Sequence, residues 1–231
     1  MANRNLVNVR DMKRLLLKET WIGILLLCSV ALVDIQAQNF DRQKLDAYLD
    51  TLEAKNKWMG SVALRYQGDL IYQKSVGYAQ VGEHAEVAGQ ETQYRIGSVT
   101  KMFTATMVMQ LVEEGKLTLD TKLGTYYSDL PNAEGITIRN LLEHKSGLFN
   151  FTNDPQYTTW MTEPHTKEQL LGLFRNRDPE FEPGSQQKYS NTNYVLLHFI
   201  IEDVTGSSYG QQLQSRIIEP LHLADTYFKS S

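Results

Sequence analysis

Ser98-Val99-Thr100-Lys101 sets a hydroxyl three residues ahead of an amine, where a polar loop gives way to a strongly apolar segment. A serine hydroxyl is a weak nucleophile until a base takes its proton. On a helix, residues i and i+3 share a face, so the Lys101 amine can reach the Ser98 oxygen. A helix start favours developing negative charge, and a lysine withdrawn from water is more easily neutral, hence able to act as a base. The chemistry this pairing allows is attack on a carbonyl. S-x-x-K alone occurs often by chance, and its plain reading is a capping serine followed by a solvated lysine. A second group is Tyr189-Ser190-Asn191, preceded by Phe181-Glu182-Pro183-Gly184, whose Pro-Gly pair turns a short loop back on the domain. A phenol with an ordinary pKa of ~10 becomes a usable base only beside positive charge, which Lys101 can supply. Asn191 offers a donor and an acceptor for orienting an amide substrate or the lysine.

These residues need elements to hold them. Leu45, Tyr48, Leu49 and Leu52 recur at helical spacing, with Asp41 as a candidate cap. Residues 61–67 and 70–78 are β-prone and joined at Gly68-Asp69, a hairpin signal. The polar stretch 82–93 reads as a loop. Residues 98–114 predict a helix ending at Gly115; it is apolar nearly all round, which predicts burial at the centre of the domain, with its methionines as core filling. Thr137 can cap a helix through Leu141 and Leu142, and Thr166 with Gln169 has capping-box spacing. Residues 194–204 predict a helix closed by Gly206, and 209–218 another, stopped by Pro220. The order is helix, β-hairpin, long helical region.

Hydrophobic residues make up 42% of the 231-residue chain and charged residues 22%, enough for a real core, with a formal net charge of −4. That balance argues against nucleic acid as a partner. Lys13, Arg14 and Lys18 precede the apolar run 21–33, and Ala37 follows. A basic region, a short apolar stretch and a small residue describe a secretory signal peptide over residues 1–37, cut after Ala37, with Met12 as an alternative start to Met1. The run is shorter than the ~20 residues that cross a bilayer, so the membrane enters only through this segment if it stays uncleaved. The expected location is periplasmic or extracellular. The sole cysteine, Cys28, lies in the leader after Leu27, a poor lipidation context, and the mature chain of residues 38–231 has no thiol. No H-E-x-x-H, cysteine cluster or His-Asp grouping suggests a metal, no phosphate loop suggests a nucleotide cofactor, and no G-x-S-x-G elbow is present.

Taken together, the motifs are specific. Tyr94-Arg95-Ile96-Gly97-Ser98-Val99-Thr100-Lys101-Met102 closely resembles the nucleophile region of the β-lactamase-related serine hydrolases, the group of class C β-lactamases, D-alanyl-D-alanine carboxypeptidases and related esterases. The likeness continues through Ile136-Thr137-Ile138-Arg139-Asn140, His144-Lys145-Ser146-Gly147-Leu148, Tyr189-Ser190-Asn191 and Val204-Thr205-Gly206, spanning residues 60–231. The resemblance implies an α+β fold, an antiparallel sheet with a large all-helical region. It implies that Ser98 forms an acyl-enzyme, that Lys101 and Tyr189 shuttle the proton, that Asn191 binds substrate, and that the Ser98 backbone N–H supplies half of an oxyanion hole. His144 is expected to be a buried, hydrogen-bonded residue rather than a base. Neither cofactor nor metal is implied, and the partner is a small-molecule or peptidoglycan-type substrate: a D-Ala-D-Ala peptide, a β-lactam or a small ester.

The family's third motif, a late strand with Lys or His, a small residue and Gly, has no counterpart before Lys229-Ser230-Ser231. The expectation is therefore an N-terminal portion of a longer protein, or a truncated gene product, carrying only the first hairpin of the sheet without its C-terminal strands. The competing reading is a non-catalytic remnant that folds poorly or binds peptidoglycan-like ligands without turnover.

Overall fold

A computed structural model of the chain describes residues 40–228; the expected leader, residues 1–37, lies outside the described residues. The chain forms two compact units, one ending at Tyr94 and one beginning at Arg95.

In the first unit, helix α1 (Arg42–Ala54) starts where Asp41 accepts the Lys44 N–H at 3.0 Å, the expected cap. Strands β1 (Gly60–Tyr66) and β2 (Asp69–Val76) pair antiparallel as a two-stranded sheet. Their turn is centred one residue earlier than Gly68-Asp69. Gln67 and Gly68 both take positive φ, 51° and 93°, the mirror-image geometry that matches strand twist. The register shifts after Leu64, leaving Ile71 as the extra residue of a bulge, and its carbonyl accepts from Arg42 at 2.6 Å. One face of the hairpin sends Tyr72 and Val76 against Leu49, with Leu45, Trp58, Val62 and Leu64 around them. The expected second strand also ends early, at Val76. Gly77 breaks it, and β3 (Tyr78–Gln80) pairs with β4 (Glu86–Val87), a short ribbon whose second strand lies inside the stretch 82–93 expected to be a loop.

The second unit is helical. A 3₁₀ turn, Gly97–Val99, opens α2 (Thr100–Glu113); α3 (Gly124–Tyr127) and α4 (Ile138–Leu142) follow. After a second 3₁₀ turn, Phe151–Asn153, come α5 (Tyr157–Trp160), α6 (Lys167–Arg175), α7 (Asn191–Thr205) and α8 (Tyr209–Leu213), which runs into a π-helical turn, Gln214–Ile218. Thr137 and Thr166 each make reciprocal capping boxes, with Asn140 and Gln169. Gly206 closes α7 in the left-handed region, at φ 67°.

Met107, Val108 and Leu111 of α2 are fully buried against Leu196, Leu197, Ile200 and Ile201 of α7, in a core completed by Leu123, Ile136, Ile138 and Leu141. The buried Thr104 hydroxyl meets the Tyr209 hydroxyl at 2.8 Å, so these two polar groups satisfy each other inside the core. Burial of α2 is one-sided, contrary to its composition: Met102 and Met109 stay exposed, at 62% and 46%. Among the described residues, no helix is long and apolar enough to cross a membrane.

Candidate active site

Ser98 sits in the 3₁₀ turn that leads into α2, and Lys101 is the second residue of that helix. The i, i+3 spacing does what helical geometry requires: Lys101 Nζ donates to Ser98 Oγ at 3.1 Å. Lys101 also donates to Asn191 Oδ1 at 2.8 Å, and its ammonium lies 4.9 Å and 5.6 Å from the ring centres of Tyr189 and Tyr194. Ser98 Oγ and Tyr189 Oη are 2.7 Å apart, and Tyr189 Oη donates to Asn191 Oδ1 at 3.3 Å. The four residues singled out by motif, spread over 94 positions of sequence, thus meet within hydrogen-bond reach of one another. Ser98 and Tyr189 face solvent, while Lys101 and Asn191 are half-buried beneath them.

Two short segments explain how a loop residue is delivered to a helix start. Glu182 to Ser185 forms a turn, with Ser185 N–H donating to the Glu182 carbonyl at 3.0 Å, Pro183 second and Gly184 at φ 81° third. The strand-like stretch around it is bonded to the His144–Gly147 segment. Glu180 N–H donates to the Gly147 carbonyl at 2.7 Å, Gly184 N–H to Lys145 at 2.8 Å and Lys188 N–H to His144 at 2.9 Å. Gly147 cannot be replaced without moving this chain: a Cβ there would lie 1.9 Å from the Phe181 carbonyl oxygen, and its φ is 78°. The His-Lys-Ser-Gly-Leu motif is therefore the seat of the tyrosine loop.

The helix boundary is a correction with consequences. α7 begins at Asn191 rather than at 194, so Asn191 is the first residue of a buried helix whose N–H groups need partners. Ser190, though in the capping position, makes no side-chain cap. The loop before α5 satisfies the first of these N–H groups instead and bonds the side chains beside it. Asn150 Oδ1 accepts from Asn191 N–H at 2.9 Å, Thr152 Oγ1 accepts from Asn191 Nδ2 at 3.0 Å, and Thr192 Oγ1 donates to the Phe149 carbonyl at 2.6 Å. With its amide nitrogen committed to Thr152, Asn191 presents its oxygen to Lys101. Asn150 and Thr152 were missed in the sequence; a serine-asparagine pair ahead of an apolar run was the available signal that a helix starts there.

Burial pushes the Tyr189 phenol up, but hydrogen bonds from Lys101 and Ser98 and the Lys101 charge outweigh it, so the phenol lies below the usual tyrosine value. His144 is half-buried; burial first, then Lys101, pushes its imidazole below the usual histidine value, and its Nδ1 accepts from Ser190 N–H at 3.2 Å. An oxygen held between a phenol and an amine, open to solvent on one side, can pass its proton to the phenol oxygen once that phenol is ionised, as it attacks an electrophile.

The chain is similar to known proteins of one family. The chain is 32% identical over 193 residues to penicillin-binding protein 4* of Bacillus subtilis, covering 80% of this chain and 41% of that protein. It is 28% identical over 186 residues to the teichoic acid D-alanine hydrolase of Staphylococcus aureus, again covering 80% of this chain and 44% of the relative. The chain thus spans less than half the length of these curated relatives. Among solved structures, the D-amino acid amidase of Ochrobactrum anthropi SV3 complexed with L-phenylalanine superposes with a TM-score of 0.65 at 30% identity, over 78% of this chain and 52% of that one. The Beta-lactamase family model matches residues 45–231, both units together, and the chain belongs to the β-lactamase family.

Proposed function

We propose that this chain carries the nucleophile of an exported serine hydrolase that transfers acyl groups to water through an acyl-enzyme on Ser98. The observation that carries the reading is the placement of Ser98 Oγ 2.7 Å from Tyr189 Oη and 3.1 Å from Lys101 Nζ. When Tyr189 is ionised, the Ser98 hydroxyl donates to it, and Lys101 stabilises the resulting phenolate. Ser98 Oγ attacks the substrate carbonyl, its proton passes to Tyr189, and the tetrahedral oxyanion is met by the Ser98 backbone N–H. As that intermediate collapses, Tyr189 returns the proton to the leaving amine or alkoxide, leaving the acyl group on Ser98. The phenolate then takes a proton from a water molecule that attacks the acyl carbon, and returns that proton to Ser98 Oγ as the acid departs and the free serine is restored. Asn191 holds Lys101 in place and offers a contact for the substrate.

The substrate class is an amide or ester of a small acyl group: a D-Ala-D-Ala peptide, a β-lactam or a small ester. Relatives named for penicillin binding, teichoic acid D-alanine and D-amino acid amides support this choice. The test is intact-mass analysis after incubation with a labelled β-lactam or fluorophosphonate. One adduct is expected, on Ser98, and Ser98→Ala should remove it and lower turnover by about 10³-fold or more. An adduct surviving the substitution would identify a different nucleophile. Export is read from the basic-apolar-small order of residues 1–37, and the protein recovered from its host should begin at or near Gln38. An intact N-terminus in the cytosol would rule that part out.

A further inference from the structure

We infer that His144 is the positioning residue of Tyr189, gripping the backbone on both sides of the tyrosine and one face of its ring so that the phenol stays opposite Ser98. The inference rests on the reading of Ser98 and Tyr189 as the reacting pair. Three contacts converge from one residue. The His144 carbonyl accepts from Lys188 N–H at 2.9 Å, its Nδ1 accepts from Ser190 N–H at 3.2 Å, and its ring lies 4.6 Å from the Tyr189 ring centre at a 35° tilt. The other neighbour of the imidazole is Tyr194, at 5.2 Å. The grip is anchored, because His144 N–H donates to the Leu141 carbonyl at 3.3 Å, at the end of α4, whose Ile138 and Leu141 are fully buried.

The backbone of His144 supports the assignment. Its φ is 57°, in the left-handed region, at the position after the C-cap of α4, where Lys145 N–H closes onto the Asn140 carbonyl at 2.7 Å. With that backbone, the carbonyl and the ring nitrogen both reach the same three-residue segment. A glycine would relieve the strain but could not supply the ring or the acceptor.

The grip works in one protonation state. A backbone N–H can only donate, so Nδ1 facing Ser190 must be bare and the ring proton must sit on Nε2. Protonation would put a second donor against Ser190 N–H and a second cation beside Lys101. The charged and titratable groups around the ring are Lys101 from α2, Tyr194 from α7 and Tyr189 itself. The adjacent Glu143 and Lys145 neutralise each other at 2.7 Å, and Lys188 is paired with Glu180 at 2.6 Å. Acid therefore opens the grip from the His144 side.

Two substitutions separate positioning from simple structural support. His144→Ala removes ring and acceptor together. His144→Asn keeps an oxygen able to accept from Ser190 N–H, tolerates positive φ and does not titrate. Two readouts are needed on the full chain: the rate of Ser98 acylation by a fluorophosphonate as a function of pH, and the ionisation of the Tyr189 phenol by NMR of ring-labelled tyrosine, assigned with Tyr189→Phe. His144→Ala is expected to slow acylation by roughly 10²-fold, the cost of a misplaced reacting group, and to return the Tyr189 phenol to its ordinary range. His144→Asn should recover the rate to within about tenfold, keep the phenol depressed and lose the steepest part of the acid-side fall seen in the native chain. Native acylation and an unmoved phenol in His144→Ala overturn the inference, as does an acid limb identical in the native chain and His144→Asn. Should His144→Ala fail to fold, His144→Asn against the native chain decides through the phenol and the acid limb. Should the native chain not be acylated at all, the hydrolase reading fails by itself, and the phenol titration alone then decides for or against His144.

Discussion

In the unit ending at Tyr94, charge sits on the rim. Lys74 reaches Asp50 at 2.6 Å and Asp46 at 3.3 Å beside a core whose buried hydrophobic cluster is Leu49, Tyr72 and Val76. In the unit beginning at Arg95, polarity is inside. Ser146, Asn150, Thr192 and Asn193 are between 0% and 6% exposed, next to a cluster running from Met107 to Ile218. Buried polar groups destabilise unless bonded, and bonded ones specify a geometry that apolar packing alone leaves loose. Every candidate reacting group belongs to the second kind of region. A two-stranded hairpin is marginal as a free-standing structure, whereas a core crossed by α2 and α7 can hold a phenol and a hydroxyl 2.7 Å apart.

The contrast is broken most directly at the reacting groups. Tyr189→Phe removes one hydroxyl from a side chain that is 48% exposed, so folding should be untouched, while acylation of Ser98 should fall by about 10²- to 10⁴-fold, the range for loss of a positioned base. A stopped-flow comparison with a fluorophosphonate checks this. Near-native rates would mean that Lys101 takes the proton alone.

Next in size is the core behind the site. Leu197 is fully buried in α7, and Leu197→Ala should cost about 2–5 kcal/mol in urea unfolding followed through the helical signal. Its effect on acylation under stable conditions should be small, because the helix start is held from the loop at 149–152 rather than by Leu197. A large loss of acylation in a still-folded variant would show that the core, not the polar network, sets the geometry.

That network was the least legible part of the sequence. Ser98 and Lys101 were readable because helical spacing alone brings them together, and the capping residues Asp41, Thr137 and Thr166 because capping is a local rule. Nothing local announces that Asn150, forty-one residues away, bonds the first N–H of α7. The same limit explains the misplaced turn at Gln67-Gly68, where a glutamine takes a positive φ that no propensity favours, and the missed pairing of β3 with β4, strands too short to show a period. Composition likewise marked all of α2 for burial, while only its neighbours decide that Met107 goes in and Met102 stays out. Tertiary bonds to a helix end, and the choice of face on an all-apolar helix, are properties of the partner segment.

Asn150→Ala sharpens the point. It strips the acceptor from Asn191 N–H and leaves a buried donor unpaired, at a cost of about 1–3 kcal/mol. Asn191 should then release Lys101, so acylation should drop more than stability alone explains. Lys74→Ala, the matched change in the other unit, should cost no more than about 1 kcal/mol and leave acylation alone. Chemical denaturation and acylation rates on both variants check the pair; equal effects on acylation would erase the distinction between the two regions.

The smallest effect is expected where the helical unit carries its own rim charges. Glu114, at the end of α2, is bonded to the Arg216 guanidinium in the π-helical turn, with one of the two contacts at 3.1 Å, and Lys116 lies 2.8 Å away. Hydrogen bonds from Arg216 and then Lys116 hold the Glu114 carboxyl down to about 2, against the usual carboxylate value near 4.5. Unfolding restores the ordinary value, so between these two the unfolded chain binds a proton that the folded chain refuses. The contribution is therefore fully present above about pH 5 and is lost as the pH falls through 4.5 towards 2. The Glu114 side chain is 36% exposed, so solvent screening should keep the contribution below about 1 kcal/mol. Glu114→Gln keeps the shape and removes the charge. Its unfolding free energy should lie slightly below that of the native chain at neutral pH and converge with it as the pH falls through about 2, where Glu114 protonates in the native chain. Raised salt should narrow the neutral-pH gap. A gap that persists unchanged down to pH 2 would mean that Glu114 acts through packing at the end of α2 rather than through its charge.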